Sequence, residues 1–188
     1  REVTAGYGGA AVVKGISLRF QPGEVTVLAG PNGCGKSTLL RAAARLLPLR
    51  KGQVLVDGVD TAGWSSRTFA RQAALLPQSR PVPEITVEAL VLHGRFPYLG
   101  YPRRYGPADR AAARSAMERA GVLELAERNV ARLSGGQRQK VYLAMALAQD
   151  TPVLLLDEPT TFLDIGCQLE LACLMRETAA AGKAGVMG

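Results

Sequence analysis

The N-terminal part of the chain alternates short apolar segments with residues that favour turns. Apolar positions alternate over residues 12–20 and run continuously over 24–29, and Pro22-Gly23 lies between the two segments. This pattern predicts two strands joined by a turn. A further strand is predicted over 53–56, where Asp57-Gly58 follows as a tight turn.

The middle of the chain, from Pro81 to about Gln149, changes to a helical pattern. Three segments are predicted as helices from their apolar faces, namely 87–92, 108–120 and 123–128. The segment 94–106 is rich in Pro, Gly, Tyr and Arg and has no clear period. It predicts an exposed loop or a broken helix within a helical insert.

The C-terminal part returns to the pattern of a sheet covered by helices. Residues 153–156 form a continuous apolar run, which is typical of a strand buried in a parallel sheet. Residues 165–180 are helical, and 185–187 indicate the start of another strand. Strands that alternate with helices predict an α/β fold whose ligand lies at the carboxyl ends of the strands.

Composition supports a single globular domain. The chain has 188 residues, of which 47% are hydrophobic and 21% charged. No apolar run approaches the roughly 20 residues that span a bilayer, and no signal-peptide pattern opens the chain, so we expect a subunit that is soluble when isolated. Cys34, Cys167 and Cys173 lie in no metal-ligand spacing and favour a reducing cytosol.

The formal charge of +7 could indicate nucleic acid or an anionic membrane surface. The arginines, however, are scattered from Arg1 to Arg176 without a block. This distribution favours an ordinary solvated surface, and no nucleic-acid partner is expected.

A phosphate-binding loop is indicated by residues 30–38, which have the sequence GPNGCGKST and satisfy GxxxxGK[ST]. The motif follows the strand predicted over 24–29 and opens a helix predicted over 36–47. The alternative is an ordinary glycine-rich turn before a helix, but the full motif in this context favours a phosphate-binding loop. Its backbone N–H groups would cradle phosphates, Lys36 would contact the β and γ phosphates, and Ser37 would ligate Mg²⁺. The predicted nucleotide-binding residues are Gly30, Pro31, Asn32, Gly33, Cys34, Gly35, Lys36, Ser37 and Thr38.

Two acids follow the buried strand 153–156. Asp157 would hold Mg²⁺ where the strand ends, and Glu158 would polarise an attacking water as general base. A solvated strand edge before a Pro159 turn is the alternative, which the phosphate-binding loop makes less attractive.

Residues 133–137 have the sequence LSGGQ. Ser134 and Gln137 form a capping-box pattern, which a plain helix start would explain. Gly135 and Gly136 are different, because each costs about 1 kcal/mol relative to alanine inside a helix. Two bare positions in a first turn favour close approach by a phosphate.

LSGGQ, placed between this loop and an apolar strand that ends in Asp-Glu, resembles the signature of the ABC (ATP-binding cassette) ATPases. The resemblance extends from Tyr7 to Asp164. It implies a P-loop NTPase core with a parallel sheet, an N-terminal antiparallel β subdomain and a helical insert. It also implies a head-to-tail dimer, in which Ser134, Gly135, Gly136 and Gln137 face ATP bound to the partner's phosphate-binding loop.

The resemblance implies roles for three more residues. Gln78 would be the Q-loop glutamine, which contacts Mg²⁺ and the attacking water and senses a transmembrane partner. Tyr7 would stack on adenine, and Asp164 of the D-loop would lie at the dimer interface while capping the following helix. In domain terms, 1–80 would hold the β subdomain and P-loop core, 81–149 the helical subdomain, and 150–188 the remaining core.

Three segments are similar to the importers of ferric siderophores, haem and cobalamin. They are GRFPY at 94–98, AMALAQ at 144–149 and DEPTTFLDI at 157–165. The similarity implies a permease that docks on Gln78 to about Tyr105, an indirect link to a substrate-binding protein, and a peripheral position on the cytoplasmic face of the membrane.

Two other functions remain open. An ABC-type ATPase of DNA maintenance would insert a long coiled coil before the signature, and no sustained heptads separate Thr38 from Ser134. An ATP-gated regulator without hydrolysis would fit a chain without the family's switch histidine, since the one histidine, His93, lies in the helical insert. The switch histidine would follow the strand at 185–187, so we expect the native chain to continue past Gly188.

Overall fold

The structure, a computed structural model, describes residues 1–161 and 163–188. In chain order its strands are β1 (Val3–Ala5), β2 (Val13–Ile16), β3 (Val25–Val27), β4 (Leu55–Val56), β5 (Val59–Asp60), β6 (Ala73–Leu76), β7 (Val153–Leu156) and β8 (Ala184–Met187). The α-helices are α1 (Lys36–Ala43), α2 (Ser66–Ala70), α3 (Val87–Leu92), α4 (Pro107–Arg119), α5 (Gly135–Ala148) and α6 (Ile165–Ala180). Short 3₁₀ helices cover His93–Tyr98, Leu123–Leu125 and Val130–Arg132.

The central sheet is parallel and has the strand order β3-β8-β7-β6. Strand β7 lies inside it, and Leu154, Leu155 and Leu156 are almost completely buried. Helices cover the sheet on both faces, so an apolar run without alternation is the sequence that such a strand needs. The predicted α/β fold and the buried strand at 153–156 are therefore confirmed.

The two predicted N-terminal strands do not pair with each other. Strand β2 pairs antiparallel with β1, while β3 pairs with β8 in the central sheet. The chain turns at Pro22-Gly23 as predicted, but that turn connects two different sheets. The alternation over 12–20 is also longer than β2, because pairing with the short β1 extends only to Ile16.

Local backbone conformation decides where two other predicted elements end. Helix α1 stops at Ala43 rather than at residue 47, since Arg45 takes a left-handed φ of 58° and its guanidinium donates to the carbonyl of Trp64. Strands β4 and β5 form the hairpin predicted from Asp57-Gly58, and both of those residues have positive φ.

The helical insert packs α3, α4 and α5 against one another and against the central sheet in one continuous apolar core. Helix α3 has the predicted bounds, and α4 differs from its predicted bounds by one residue at each end. The helix predicted over 123–128 is instead a single 3₁₀ turn over Leu123–Leu125, and the carbonyls of Ala126 and Arg128 accept from the backbone N–H groups of Glu88 and Val87. No helix in 1–161 or 163–188 has the length and apolar character needed to cross a membrane.

The segment 94–106, predicted as an exposed loop or a broken helix, begins in the 3₁₀ helix His93–Tyr98, and its first residues are partly buried against the end of α5. Gly94 lies against the carbonyl of Met145, and Arg95 donates to the carbonyl of Ala148 at 2.9 Å and pairs with Asp109 at 3.2 Å. The last turn of α5 contains no basic residue of its own. Arg95 therefore supplies the positive charge that favours a helix C-terminus. Residues 100–104 are exposed, as predicted.

We predict that Gly94→Ala destabilises the fold. A methyl group there would collide with the carbonyl oxygen of Met145 and lie 3.1 Å from the backbone nitrogen of Gln149. Overpacking of this kind costs about 1–3 kcal/mol, which urea unfolding would measure. Gly100→Ala is the matched control, because within 1–161 and 163–188 no atom beyond its two chain neighbours lies within 4 Å of the added carbon, and its unfolding free energy should stay within about 0.5 kcal/mol of the wild-type value. Equal stabilities of the two variants would contradict the proposed packing.

Candidate active site

The loop between β3 and α1 leaves backbone N–H groups free at the start of a helix. Gly33 and Gly35 have φ of 80° and 103°, which favours glycine at both positions. A side chain on Gly35 would also meet Val13 at 2.9 Å. Gly35 is the N-cap of α1 and provides no side-chain cap, so the first turn of that helix offers its N–H groups to an anion.

The ammonium group of Lys36 lies over the same loop. Its Nζ donates to the carbonyl of Gly30 at 2.8 Å and to that of Pro31 at 3.2 Å. Cys34 is exposed, and its Sγ lies 2.8 Å from the position of a Cβ added to Gly30, so a larger residue than glycine would clash with it. The loop thus places a cation beside the N-terminus of α1, which suits phosphate.

Ser37 and Asp157 meet between α1 and the end of β7. The Ser37 hydroxyl donates to Oδ1 of Asp157 at 2.7 Å, and Asp157 is completely buried. Within the described residues, Oδ2 of Asp157 has no hydrogen-bond partner. A buried carboxylate oxygen without a partner is costly unless a cation or a donor reaches it. A carboxylate and a hydroxyl are hard oxygen ligands, so this pair fits Mg²⁺.

Glu158 and Gln78 are in direct contact. Strands β6 and β7 pair in register with Leu76 opposite Leu156, and each residue of the contact lies two positions beyond its strand. The Gln78 amide donates to Oε2 of Glu158 at 2.6 Å. Parallel pairing therefore brings together an amide and a carboxylate that are 80 residues apart along the chain.

The backbone of Glu158 is strained. Its φ is 47°, in the left-handed region that few residues other than glycine adopt. The Glu158 N–H donates to the carbonyl of Gly188 at 3.0 Å, and the Thr161 hydroxyl lies 3.4 Å from Oε2. Strain of about 1–3 kcal/mol persists only where surrounding contacts hold it, and such contacts cluster at functional sites.

The signature segment begins α5 with the predicted capping box. Ser134 Oγ accepts from the Gln137 N–H at 3.2 Å, and Gln137 Oε1 accepts from the Ser134 N–H at 3.1 Å. Gly135 and Gly136 follow in the first turn. Across 1–161 and 163–188, no hydrogen bond joins residues 134–137 to the phosphate-binding loop.

Within the described residues, neither Tyr7 nor Asp164 forms a hydrogen bond with the acid cluster, which is the pair Asp157 and Glu158 after β7. The Tyr7 ring is about half exposed, at 48%, and its hydroxyl accepts from Arg41 of α1 at 3.4 Å. Asp164 is the N-cap of α6 and accepts from the Cys167 N–H at 2.8 Å, which confirms its capping role and lowers the pKa of its carboxyl group. Phe162 of the D-loop lies outside the described residues.

The structure adds two residues that the motifs did not identify. Arg80 donates to Oε1 of Gln139 at 2.6 Å, and the Gln139 amide donates to the carbonyl of Pro159 at 2.7 Å. The Arg80 guanidinium lies 4.6 Å from the ring centre of Tyr142, and burial lowers its pKa. A polar Gln139 at helical spacing from Leu143 and Ala146, both buried, was the one available signal in the sequence.

Comparison with known proteins agrees with this geometry. The profile of the ABC transporter family matches residues 13–161. The achromobactin transport ATP-binding protein CbrD of Dickeya dadantii is 48% identical over 94% of this chain and 66% of its own length. The ferric enterobactin transport ATP-binding protein FepC of Escherichia coli is 43% identical over 94% and 65%. The chain thus spans slightly less than two thirds of these curated relatives.

Solved structures share the fold. The dimeric ATP-binding cassette MJ0796, bound to ADP and Pi in a post-hydrolysis state, is 28% identical with a TM-score of 0.86, over 100% of this chain and 85% of that one. An ABC transporter in an inward-facing conformation is also 28% identical with a TM-score of 0.82, over 99% of this chain and 70% of that one. The matched profile, the phosphate-binding loop and the acid cluster lead to one conclusion: the chain belongs to the ABC transporter family.

Proposed function

We propose that this chain binds and hydrolyses ATP as the energising subunit of an ABC importer. The observation that carries the proposal is the cluster at the carboxyl ends of β6 and β7. There the Ser37–Asp157 pair and the Gln78–Glu158 pair lie beside the phosphate-binding loop. A phosphate cradle, a metal-ligand pair and a carboxylate base are the parts that phosphoryl transfer to water needs.

Each group has a distinct part in the proposed reaction. The N–H groups of the loop and the Lys36 ammonium bind and orient the phosphates. Ser37 and Asp157 would hold Mg²⁺, which neutralises phosphate charge when bound. Glu158 accepts a proton from the attacking water, and the Gln78 amide, already hydrogen-bonded to Glu158, orients that water.

A second copy of the chain would complete the site. The signature segment presents the N-terminus of α5 with two glycines in its first turn. The N–H groups there, together with the Ser134 hydroxyl, suit the γ-phosphate of ATP held on a partner's loop. A head-to-tail dimer therefore explains why two glycines lie in this turn: they allow the phosphate to approach the backbone. The capping box alone does not explain them.

The cargo class rests on kinship. Relatives named for the import of petrobactin and of hemin are 43% and 44% identical to this chain, and a cobalamin relative is 43% identical. A permease would dock on residues 78–105, where Phe96 and Tyr101 are exposed and Arg103 covers the Phe96 ring at 4.6 Å. The subunit would then lie on the cytoplasmic face of the membrane, linked indirectly to a substrate-binding protein.

Replacing the base should separate ATP binding from hydrolysis. Glu158→Gln keeps the size of the side chain but cannot accept a proton, so ATP turnover should fall by about 10²- to 10⁴-fold. Unhydrolysed ATP should then keep two copies associated head to tail, and size-exclusion chromatography would detect this dimer. Glu124→Gln, at an exposed acid of the helical insert, is the control. Wild-type turnover in Glu158→Gln would refute the base assignment.

Tyr7 should contribute to binding of the adenine base and not to binding of the phosphates. Tyr7→Ala removes the stacking surface, which is worth about 1–3 kcal/mol for a base on an aromatic ring, so the Kd for ATP should rise roughly 5- to 150-fold. The Kd for inorganic tripolyphosphate should not change, whereas Lys36→Ala should weaken both ligands. Calorimetric titration distinguishes these outcomes, and an equal loss for both ligands in Tyr7→Ala would exclude stacking.

Transport should depend on the same carboxylate. In cells that rely on this protein, Glu158→Gln should abolish the uptake of one labelled cargo, while Glu124→Gln should support it. Ferric siderophore, haem and cobalamin are offered separately. Uptake of all three at the wild-type rate in Glu158→Gln cells would contradict the proposed cargo class, even if the purified protein hydrolysed ATP.

A further inference from the structure

Hydrogen bonds close a ring around the catalytic carboxylate. The loop segment 78–80 contacts Glu158 directly through Gln78, and it contacts α5 through Arg80 and Gln139. From Gln139 the amide nitrogen donates to the carbonyl of Pro159, the residue after Glu158. The ring thus joins three elements: the loop after β6, the signature helix and the turn after β7.

Gln139 is the buried member that joins the other two elements. It is only 7% exposed, and its amide has both polar ends satisfied, with Oε1 accepting from Arg80 and Nε2 donating to Pro159. The carbonyl that accepts from Nε2 belongs to the Pro159–Thr160 peptide, so this buried amide keeps both of its bonds only while α5 stays close to the turn after β7. The orientation of the helix and the position of the turn are therefore coupled.

The Glu158–Pro159 turn needs such support. The left-handed backbone of Glu158 is costly, and an unrestrained turn would relax to a commoner conformation. On one side its N–H is held by the carbonyl of Gly188, and on the other the Pro159 carbonyl is held by Gln139. Losing the second contact would release the Pro159–Thr160 peptide, and the carboxylate of Glu158 could then move because its turn has lost one restraint.

We infer that Gln139 is a positioning residue. It holds the carboxylate of Glu158 in the geometry that catalysis needs, and that geometry depends on the position of α5, the signature helix. Since α5 begins at the signature, a ligand that moves its N-terminus would be sensed at Glu158 through this amide, in addition to the contact of Arg80 with Tyr142 on the same helix. The inference rests on the proposed ATPase function. It assigns a role to a residue that contacts the turn after β7 through the Pro159 carbonyl.

The test compares two substitutions of Gln139 with a matched glutamine on the same helix, in the protein as its gene encodes it. Gln139→Glu keeps the acceptor for Arg80 and removes the donor to Pro159. Gln139→Met removes both. Gln149→Met is the control, because the Gln149 amide also joins α5 to backbone carbonyls, those of Ala70 at 2.6 Å and Ala73 at 3.2 Å, outside the ring.

Steady-state kinetics, ATP titration and thermal unfolding are measured for each protein. Both Gln139 variants should lose about 10- to 100-fold in kcat, the scale of a small misplacement of a catalytic group. Their KM and Kd for ATP should stay at the wild-type values. Gln149→Met should lower the unfolding temperature and leave kcat unchanged. If Gln139 had only a structural role, its variants would behave like Gln149→Met and keep their kcat.

Each result decides the inference. Wild-type kcat in Gln139→Glu, or an equal loss of kcat in Gln149→Met, would overturn it while leaving the ATPase proposal intact. If Gln139→Met fails to fold, Gln139→Glu decides alone, since it retains the contact with Arg80. If the wild-type protein itself hydrolyses no ATP, the proposed function fails, and the role of Gln139 fails with it.

Discussion

Burial of the Asp157 carboxylate is the constraint on which the rest of the site depends. A carboxylate removed from water costs several kcal/mol unless its oxygens are satisfied. Here one oxygen accepts from Ser37, which requires the first turn of α1 to lie beside the end of β7. The Asp157 N–H also donates to the carbonyl of Leu76, which ties the same residue to β6. Satisfying one buried acid therefore fixes the phosphate-binding loop and the two strand ends that carry Gln78 and Glu158.

Helix α5 has three different tasks along its length. Its first turn contains two partly buried glycines, its middle turns lie in the apolar core, and its end is charge-compensated by Arg95. Gln139 lies where the partly buried and the fully buried parts meet. A rigid helix that is partly exposed at one end and packed along its middle can convey a contact at that end as a movement of the whole element. The polar ring around Glu158 would respond to such a movement of α5.

The sequence predicted those parts of the fold whose pattern is local. The bounds of α3, α6 and β7 follow from uninterrupted periodicity or from a continuous apolar run, and the hairpin β4–β5 follows from one Asp-Gly turn. Errors arose where a distant contact decides the outcome. Strand β2 pairs with the three residues of β1, too few to show a period, and α1 stops early because Arg45 reaches Trp64. The phosphate-binding residues could be named from their motif, whereas the contacts of Gln78 and Gln139 join residues far apart in the chain and needed the fold.

The compensation of α5 by Arg95 has a consequence for how this molecule folds. The donor and the acceptor, Arg95 and Ala148, are 53 residues apart, so the helix gains this stabilisation only after a long loop has closed. Before closure, the last turn of α5 would fray, and the signature would begin a helix of uncertain length. Folding of the helical insert is therefore expected to be cooperative, with segment 93–98 and the end of α5 becoming ordered together rather than in succession.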